Sequence, residues 1–438
     1  MQTNQRKPED HIAVTKGCGR MLLAAFRQLA IAALLFAVQG CGRVRDGGES
    51  QAVAPIRIGV LAAANTSDGD GIIHGVAMAV DEINASGGVL GRRLEPVVVN
   101  TERSGAKVVS GYQRLAGHDR VTAVIGISSS DAFGVMPQLA SYRVPLLATG
   151  AAADRLTAMV AEDYERYRYF FRVMHRSGEL GDAVADYTAG LLHDSLGFRR
   201  FAILVEDDIW TRSIRESWER RIHSLPGAQV VYSGTFGIQT QDFVPLLNQI
   251  LRARPDYILD ATSMVDATSY LKQWAQLRGP PIGAIPTGAG TERYFQELGS
   301  RGIGVASVST IPDSINRLTS RAPAWWGRYV ARYGDPEYTS AYSYDAVYIL
   351  KQALERTGGA GGDTLVAALE RTRTDGVVGR WEFGRDHHPR YGAGFRRIPI
   401  IQYYRPTRDG YRVIWPADLA TSGFTYPLWN RTLQGDPN

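Results

Sequence analysis

Apolar positions along the chain follow two alternating rhythms. Ile56-Arg57-Ile58-Gly59-Val60-Leu61 is a short apolar run of strand length, and from Ile72 to Asn84 the apolar residues Ile72, Val76, Ala79, Val80 and Ile83 recur at helical spacing. The alternation continues with a strand over Leu94 to Asn100, a helix over Gly105 to Gly117, a strand over Val121 to Ile127, a helix over Phe133 to Tyr142 and a strand over Pro145 to Thr149. Such βα repetition predicts a parallel sheet with helices on both faces.

A second series begins near Phe170. Strands are expected at Arg200 to Val205, Gln229 to Thr235, Tyr257 to Asp260 and Ile282 to Pro286, separated by helices at Trp210 to His223, Phe243 to Arg254 and Val265 to Arg278. This is a second lobe of the same α/β architecture. Ala324 to Leu369 returns to helices, and Trp381 to Phe383 and Pro399 to Tyr404 read as late strands. No repeat of 20 to 50 residues is evident, which argues against a solenoid.

The first segment has a different character. Leu29 to Val38 is an apolar run behind Lys16, Arg20 and Arg27, the pattern of a signal peptide, and it is too short for a spanning helix. Val38-Gln39-Gly40-Cys41 resembles the lipobox of bacterial lipoproteins, which implies lipidation of Cys41. Residues 1–40 are read as signal peptide and 41–54 as lipidated cysteine and polar tether. The start is either Met1 or Met21, since Met21 to Cys41 alone still makes a complete signal with Arg27 as its charge.

The 438 residues exceed the size at which one core keeps growing, in keeping with two lobes. Net charge is +5, but residues 1–40 hold five basic and two acidic residues. The remainder has 44 basic against 42 acidic residues and no electrostatic footprint for a nucleic acid. Cys18 and Cys41 are the only cysteines, so the body has neither a disulfide nor a thiolate metal site.

Three stretches carry a family likeness: Asp81-Glu82-Ile83-Asn84-Ala85-Ser86-Gly87-Gly88-Val89-Leu90-Gly91-Arg92-Arg93-Leu94; Phe201-Ala202-Ile203-Leu204-Val205-Glu206-Asp207-Asp208; and Ser343-Tyr344-Asp345-Ala346-Val347-Tyr348. In their order and spacing they resemble the leucine/isoleucine/valine-binding type of periplasmic solute receptor of ABC transporters. The first also has a physical reading, with Gly87 and Gly88 closing a helix at positive φ. The resemblance implies a type I periplasmic-binding-protein fold: two Rossmann-like lobes with parallel sheets joined by a three-segment hinge. Lobe 1 would comprise 55–172 and 313–378, lobe 2 173–305 and 384–430. Crossings are placed near Phe170 to Met174, at 306–312 within Val305 to Pro312, and at 379–383.

Solute would then bind between the lobes, at the carboxyl ends of strands. Gly126-Ile127-Ser128-Ser129-Ser130 ends a strand, and its hydroxyls and N–H groups suit an anionic group. N-capping by Ser129, Ser130 or Asp131 is the structural alternative. By the resemblance Ser129 and Ser130 contact the ligand, as do Thr149, Gly150 and Ala151 on the next loop. Trp210 would wall it, and Ser263 and Thr287 occupy the remaining loops of the second lobe. Amino-acid-binding members carry an acidic residue on the loop matching Pro286-Thr287-Gly288-Ala289-Gly290, which has none here. Asp260, Asp266 or Glu206 would have to replace that charge if the ligand carries an ammonium.

Enzyme readings find little support. Gly69-Asp70-Gly71 lacks the third glycine of a dinucleotide fingerprint, and there is no Gly-x-Ser-x-Gly, His-Glu-x-x-His or Walker motif. Asp386-His387-His388 is read as a solvated loop rather than a metal site, because adjacent histidines diverge. No catalytic residue, cofactor or metal is therefore expected. The expected role is capture of a small polar or amphipathic solute, amino-acid-like, amide or organic acid, for ABC permease subunits by a lipid-anchored protein at the periplasmic face of a membrane. Gly42 leaves inner and outer membrane both open. A ligand-sensing receptor that signals to a regulatory partner is the rival reading.

Overall fold

Strand β1 (Ile56–Ala62) opens a sheet completed by β2 (Leu94–Asn100), β3 (Ala123–Ser128), β4 (Leu146–Gly150) and β5 (Phe170–Arg172). The computed structural model describes residues 54–311, 319–392, 394–407 and 409–433. The order is β2-β1-β3-β4-β5 and every pairing is parallel. β1, β3 and β4 are buried almost throughout, as strands covered on both faces must be. Helix Ser67–Ala85 follows β1, capped by the Thr66 hydroxyl, which accepts from the Gly69 N–H at 3.2 Å. It ends at Gly87 and Gly88, with φ of +96° and +77°.

The second sheet takes β6 (Arg200–Glu206), β7 (Gln229–Phe236), β8 (Tyr257–Thr262), β9 (Gly283–Pro286) and β10 (Ala306–Val308). After the small hairpin β11 (Thr374–Asp375) and β12 (Arg380–Trp381) come β13 (Ile400–Tyr403) and β14 (Tyr411–Trp415), which extend that second sheet. Its order is β14-β13-β10-β9-β8-β6-β7. The run β10-β9-β8-β6-β7 is parallel as expected, and two late strands extend its edge, β13 joining β10 and β14 joining β13 antiparallel. Period-two alternation divides the strand residues between two cores: Phe201, Ile203 and Val205 face one side, Ala202 and Leu204 the other.

Three passages of chain link the sheets. The first follows β5 into helix Ser177–Tyr187, whose Leu180 and Val184 pack on the second sheet. The second leaves β10 and re-enters the first core with Trp325 and Tyr329. The third runs from Phe383 in the first core to Ile398 beside the second sheet. Two expected crossings are thereby displaced. Residues 306–308 pair as β10, and Trp381 and Phe383 belong to the first core, Phe383 meeting Phe171 edge-on at 5.2 Å between ring centres.

His387 and His388 are not solvated. His387 is fully buried, stacks on Phe171 at 4.0 Å and reaches Glu370 at 3.0 Å. His388 Nε2 lies 2.6 Å from the buried carboxylate of Glu179, tying the third passage to the first. Polar side chains are buried here because partners accompany them. Asp345 is a further example, its carboxylate accepting from the N–H groups of Val377 and Val378 and from the Trp381 indole at 2.8 Å. The tyrosine-aspartate-alanine stretch thus anchors the hairpin to helix Ser340–Thr357.

Candidate functional site

Both parallel runs have the strand order 2-1-3-4-5, so each reverses direction of travel at one place, between β1 and β3 and between β6 and β8. Open α/β sheets bind ligands beyond the carboxyl ends of strands at such a reversal. Residues just beyond those ends, Ser128 to Ser130 in one lobe and Asp208, Trp210 and Ser263 in the other, line a common open cavity of about 210 Å³.

The backbone at the first reversal is special. Gly126 has φ of +131°, where a Cβ would stand 2.3 Å from the Leu61 carbonyl oxygen, and Ile127 follows at +64°. A β-branched residue rarely occupies that region, and such strain clusters at functional sites. The turn delivers three serines to the cleft. Ser128, rather than Ser129, Ser130 or Asp131, is the N-cap of helix Ser129–Val135, its hydroxyl accepting from the Asp131 N–H at 3.4 Å. Ser129 accepts from the Ala153 N–H at 3.1 Å, whereas Ser130 exchanges only a 3.3 Å contact with Ser128.

Six of the eight expected residues line the cavity: Ser129, Ser130, Gly150, Trp210, Ser263 and Thr287. Thr149 and Ala151 do not. Thr149 points into the first lobe, where its hydroxyl accepts from Ser343 at 2.8 Å, and Ala151 is packed in the same core. In the second lobe the Trp210 indole N–H donates to Ser263 Oγ at 3.1 Å, and the Thr287 hydroxyl donates to the Thr262 carbonyl at 2.6 Å.

The acidic replacements expected from sequence lie elsewhere. Glu206 is fully buried and accepts from the N–H groups of Ser263, Met264 and Val265. Asp260 is inside the second lobe, hydrogen-bonded by the Tyr270 hydroxyl, and burial pushes its pKa up to about 7. Asp266 pairs with Arg293 at 3.3 Å. Sequence reasoning missed the carboxylates that do line the cleft, Asp68, Asp208, Asp335 and Glu337, together with Arg103, His175 and Trp326. Burial is the main cause that raises Glu337 to about 7. Asp335 and Glu337 follow helix Ala322–Tyr333, and no strand end announces them. Among the described residues no cluster of three or more His, Cys, Asp or Glu is placed to hold a metal.

A family model described as periplasmic binding protein matches residues 55–396. The chain belongs to the periplasmic binding protein family. Among curated members it is similar to the Leu/Ile/Val-binding protein homolog 7 of Brucella suis, at 24% identity over 228 residues, covering 51% of this chain and 55% of that protein. The match thus spans about half the length of that relative. Among solved members, a putative branched-chain amino acid ABC transporter protein from Silicibacter pomeroyi superposes with a TM-score of 0.72 at 22% identity, over 86% of this chain and all of the other. The branched-chain amino acid transporter substrate binding protein LivJ from Streptococcus pneumoniae, solved with isoleucine, gives 0.70 at 21% identity, over 83% of this chain and all of that one. At these identities the solved structures speak for the fold, that of type I periplasmic binding proteins. The family is one of solute-binding proteins, not enzymes.

Proposed function

We propose that this periplasmic binding protein family member is an extracytoplasmic lipoprotein that captures a small polar or amphipathic solute between its lobes by hinge closure and delivers it to the permease subunits of an ABC-type importer. The observation that carries the reading is the cavity at which the reversals of both sheets meet, lined by hydroxyls and by the Trp210 and Trp326 side chains. Ser130 and Trp210 are the proposed direct contacts, with Ser129, Gly150, Ser263 and Thr287 shaping the walls. The signal segment 1–40 and Cys41 lie outside the described residues, so anchoring rests on the lipobox likeness alone.

Mass spectrometry of small molecules released from gently purified protein, followed by titration of the candidate, tests the binding reading. A solute bound only by the folded state raises the melting temperature. A broad panel without any such rise would sink it. Release of the protein from membranes by Cys41→Ser is the expected outcome for the anchor, and an unchanged membrane fraction would remove the anchor from the proposal.

A further inference from the structure

This inference rests on the solute-binding reading and concerns which solute the cleft selects. His175, on the first passage between the lobes, is 6% exposed and lines the cavity. Its Nδ1 lies 2.9 Å from the hydroxyl of Tyr342, and that hydroxyl donates its single proton to the Thr310 carbonyl at 3.1 Å. An O–H committed in one direction can only accept from the other, so His175 Nδ1 carries a proton and donates it to Tyr342. Burial, reinforced by Arg396, Arg172 and His388 against the opposing field of Glu179, lowers the imidazole pKa to about 3. The ring is therefore neutral, and Nε2 is left as a bare acceptor. No described protein group donates to it.

Carboxylates predominate among the charged groups of the described lining residues, against the buried Arg172 and Arg396 whose fields also reach His175. Arg103, the one Lys or Arg among the described lining residues, is already held by Asp68 at 2.8 Å. Asp208 and Glu337 line the cavity as well, as does Asp335, which accepts from the Glu292 N–H at 2.9 Å. Among the described lining residues carboxylates thus outnumber cations even with Asp335 set aside, and Trp210 and Trp326 line the same cavity, indole being a group that favours cations.

We propose that the cleft selects a cationic solute, an amine- or guanidine-bearing molecule with an apolar body and no balancing carboxylate, and that His175 Nε2 accepts a hydrogen bond from one of its donor groups.

Titration calorimetry of the full chain at pH 7.5 with phenethylamine, phenylacetamide, phenylalanine and phenylacetate tests this, because the four share a ring and differ in charge. The expected result is tightest binding of phenethylamine, at least tenfold tighter than phenylacetate, with about a tenfold loss in His175→Phe. Nitrogen-15 spectra of the histidine rings in the unaltered protein provide a readout that survives a poorly folded variant. They should show one neutral ring protonated at Nδ1 whose Nε2 signal moves when amine is added. Phenylacetate or phenylalanine binding as tightly as the amine, or a His175 ring protonated at Nε2, overturns the inference and leaves solute binding intact. If none of these probes binds but a neutral or anionic solute does, the cationic class alone falls. If nothing from a broad panel binds, both readings fall.

Discussion

The Trp210 indole donates to the Ser263 hydroxyl at 3.1 Å, and that hydroxyl in turn lies 3.4 Å from Glu206 Oε1. Ser263 therefore orients the indole at the start of helix Ile209–Ser224. Ser263→Ala removes one hydrogen bond worth about 0.5–1.5 kcal/mol. Solute affinity should fall by roughly 2- to 10-fold on that scale, with a shifted tryptophan emission and little change in melting temperature. Unaltered emission and affinity would show that Ser263 does not hold the ring.

Asp345→Ala removes the acceptor of the Val377 and Val378 N–H groups and of the Trp381 indole, all inside the first core. Each orphaned buried donor costs about 1–3 kcal/mol, so urea denaturation should reveal a loss of at least about 3 kcal/mol. A loss under about 1 kcal/mol would mean that water replaces the carboxylate.

Glu179→Ala takes away the partner of His388 and the buried negative charge beside Arg396 and Arg172. Burial tends to raise the Glu179 pKa, but the His388 hydrogen bond and the fields of His388 and Arg396 bring it below the ordinary range. Removing one partner of a buried charged set costs about 3–5 kcal/mol. Equilibrium unfolding should show a loss of that order, larger than for Glu179→Gln.

Glu337 gives a pH signature. Its folded pKa of about 7, raised first by burial, exceeds the ordinary 4.5, so between these values the folded state binds more protons than the unfolded. Stability contributed by this group therefore falls as pH rises through that window, and the full penalty is present above 7. The melting temperature of solute-free Glu337→Gln should match that of the unaltered protein near pH 4.5 and exceed it at pH 8. A constant difference across that range would show that Glu337 does not titrate there.

The βα alternation was legible because core-facing positions recur at 3.6 residues in helices and run almost unbroken through strands buried on both faces, as in Ile56 to Leu61. The misses have physical causes. β5 and β10 are three residues each, too short for a period to register, and both adjoin passages between lobes. At the site, Ser129, Ser130, Trp210, Ser263 and Thr287 were readable because they follow strand ends. Thr149 misled because its side chain turns toward helix Ser340–Thr357, where Ser343 meets it. His175 and Glu337 reach the cleft through the passage between lobes and a returning helical segment, placements that only the assembled fold determines.

Glu206 has a consequence for redesign. Its carboxylate fixes the backbone of Ser263, Met264 and Val265, a loop 57 to 59 positions further along the chain that forms part of the cleft wall. A library that varies side chains on that loop would inherit a frame set by a distant residue, so new recognition there comes by exchanging side chains rather than reshaping the main chain. Altering Glu206 to loosen the frame would trade selectivity and foldedness together.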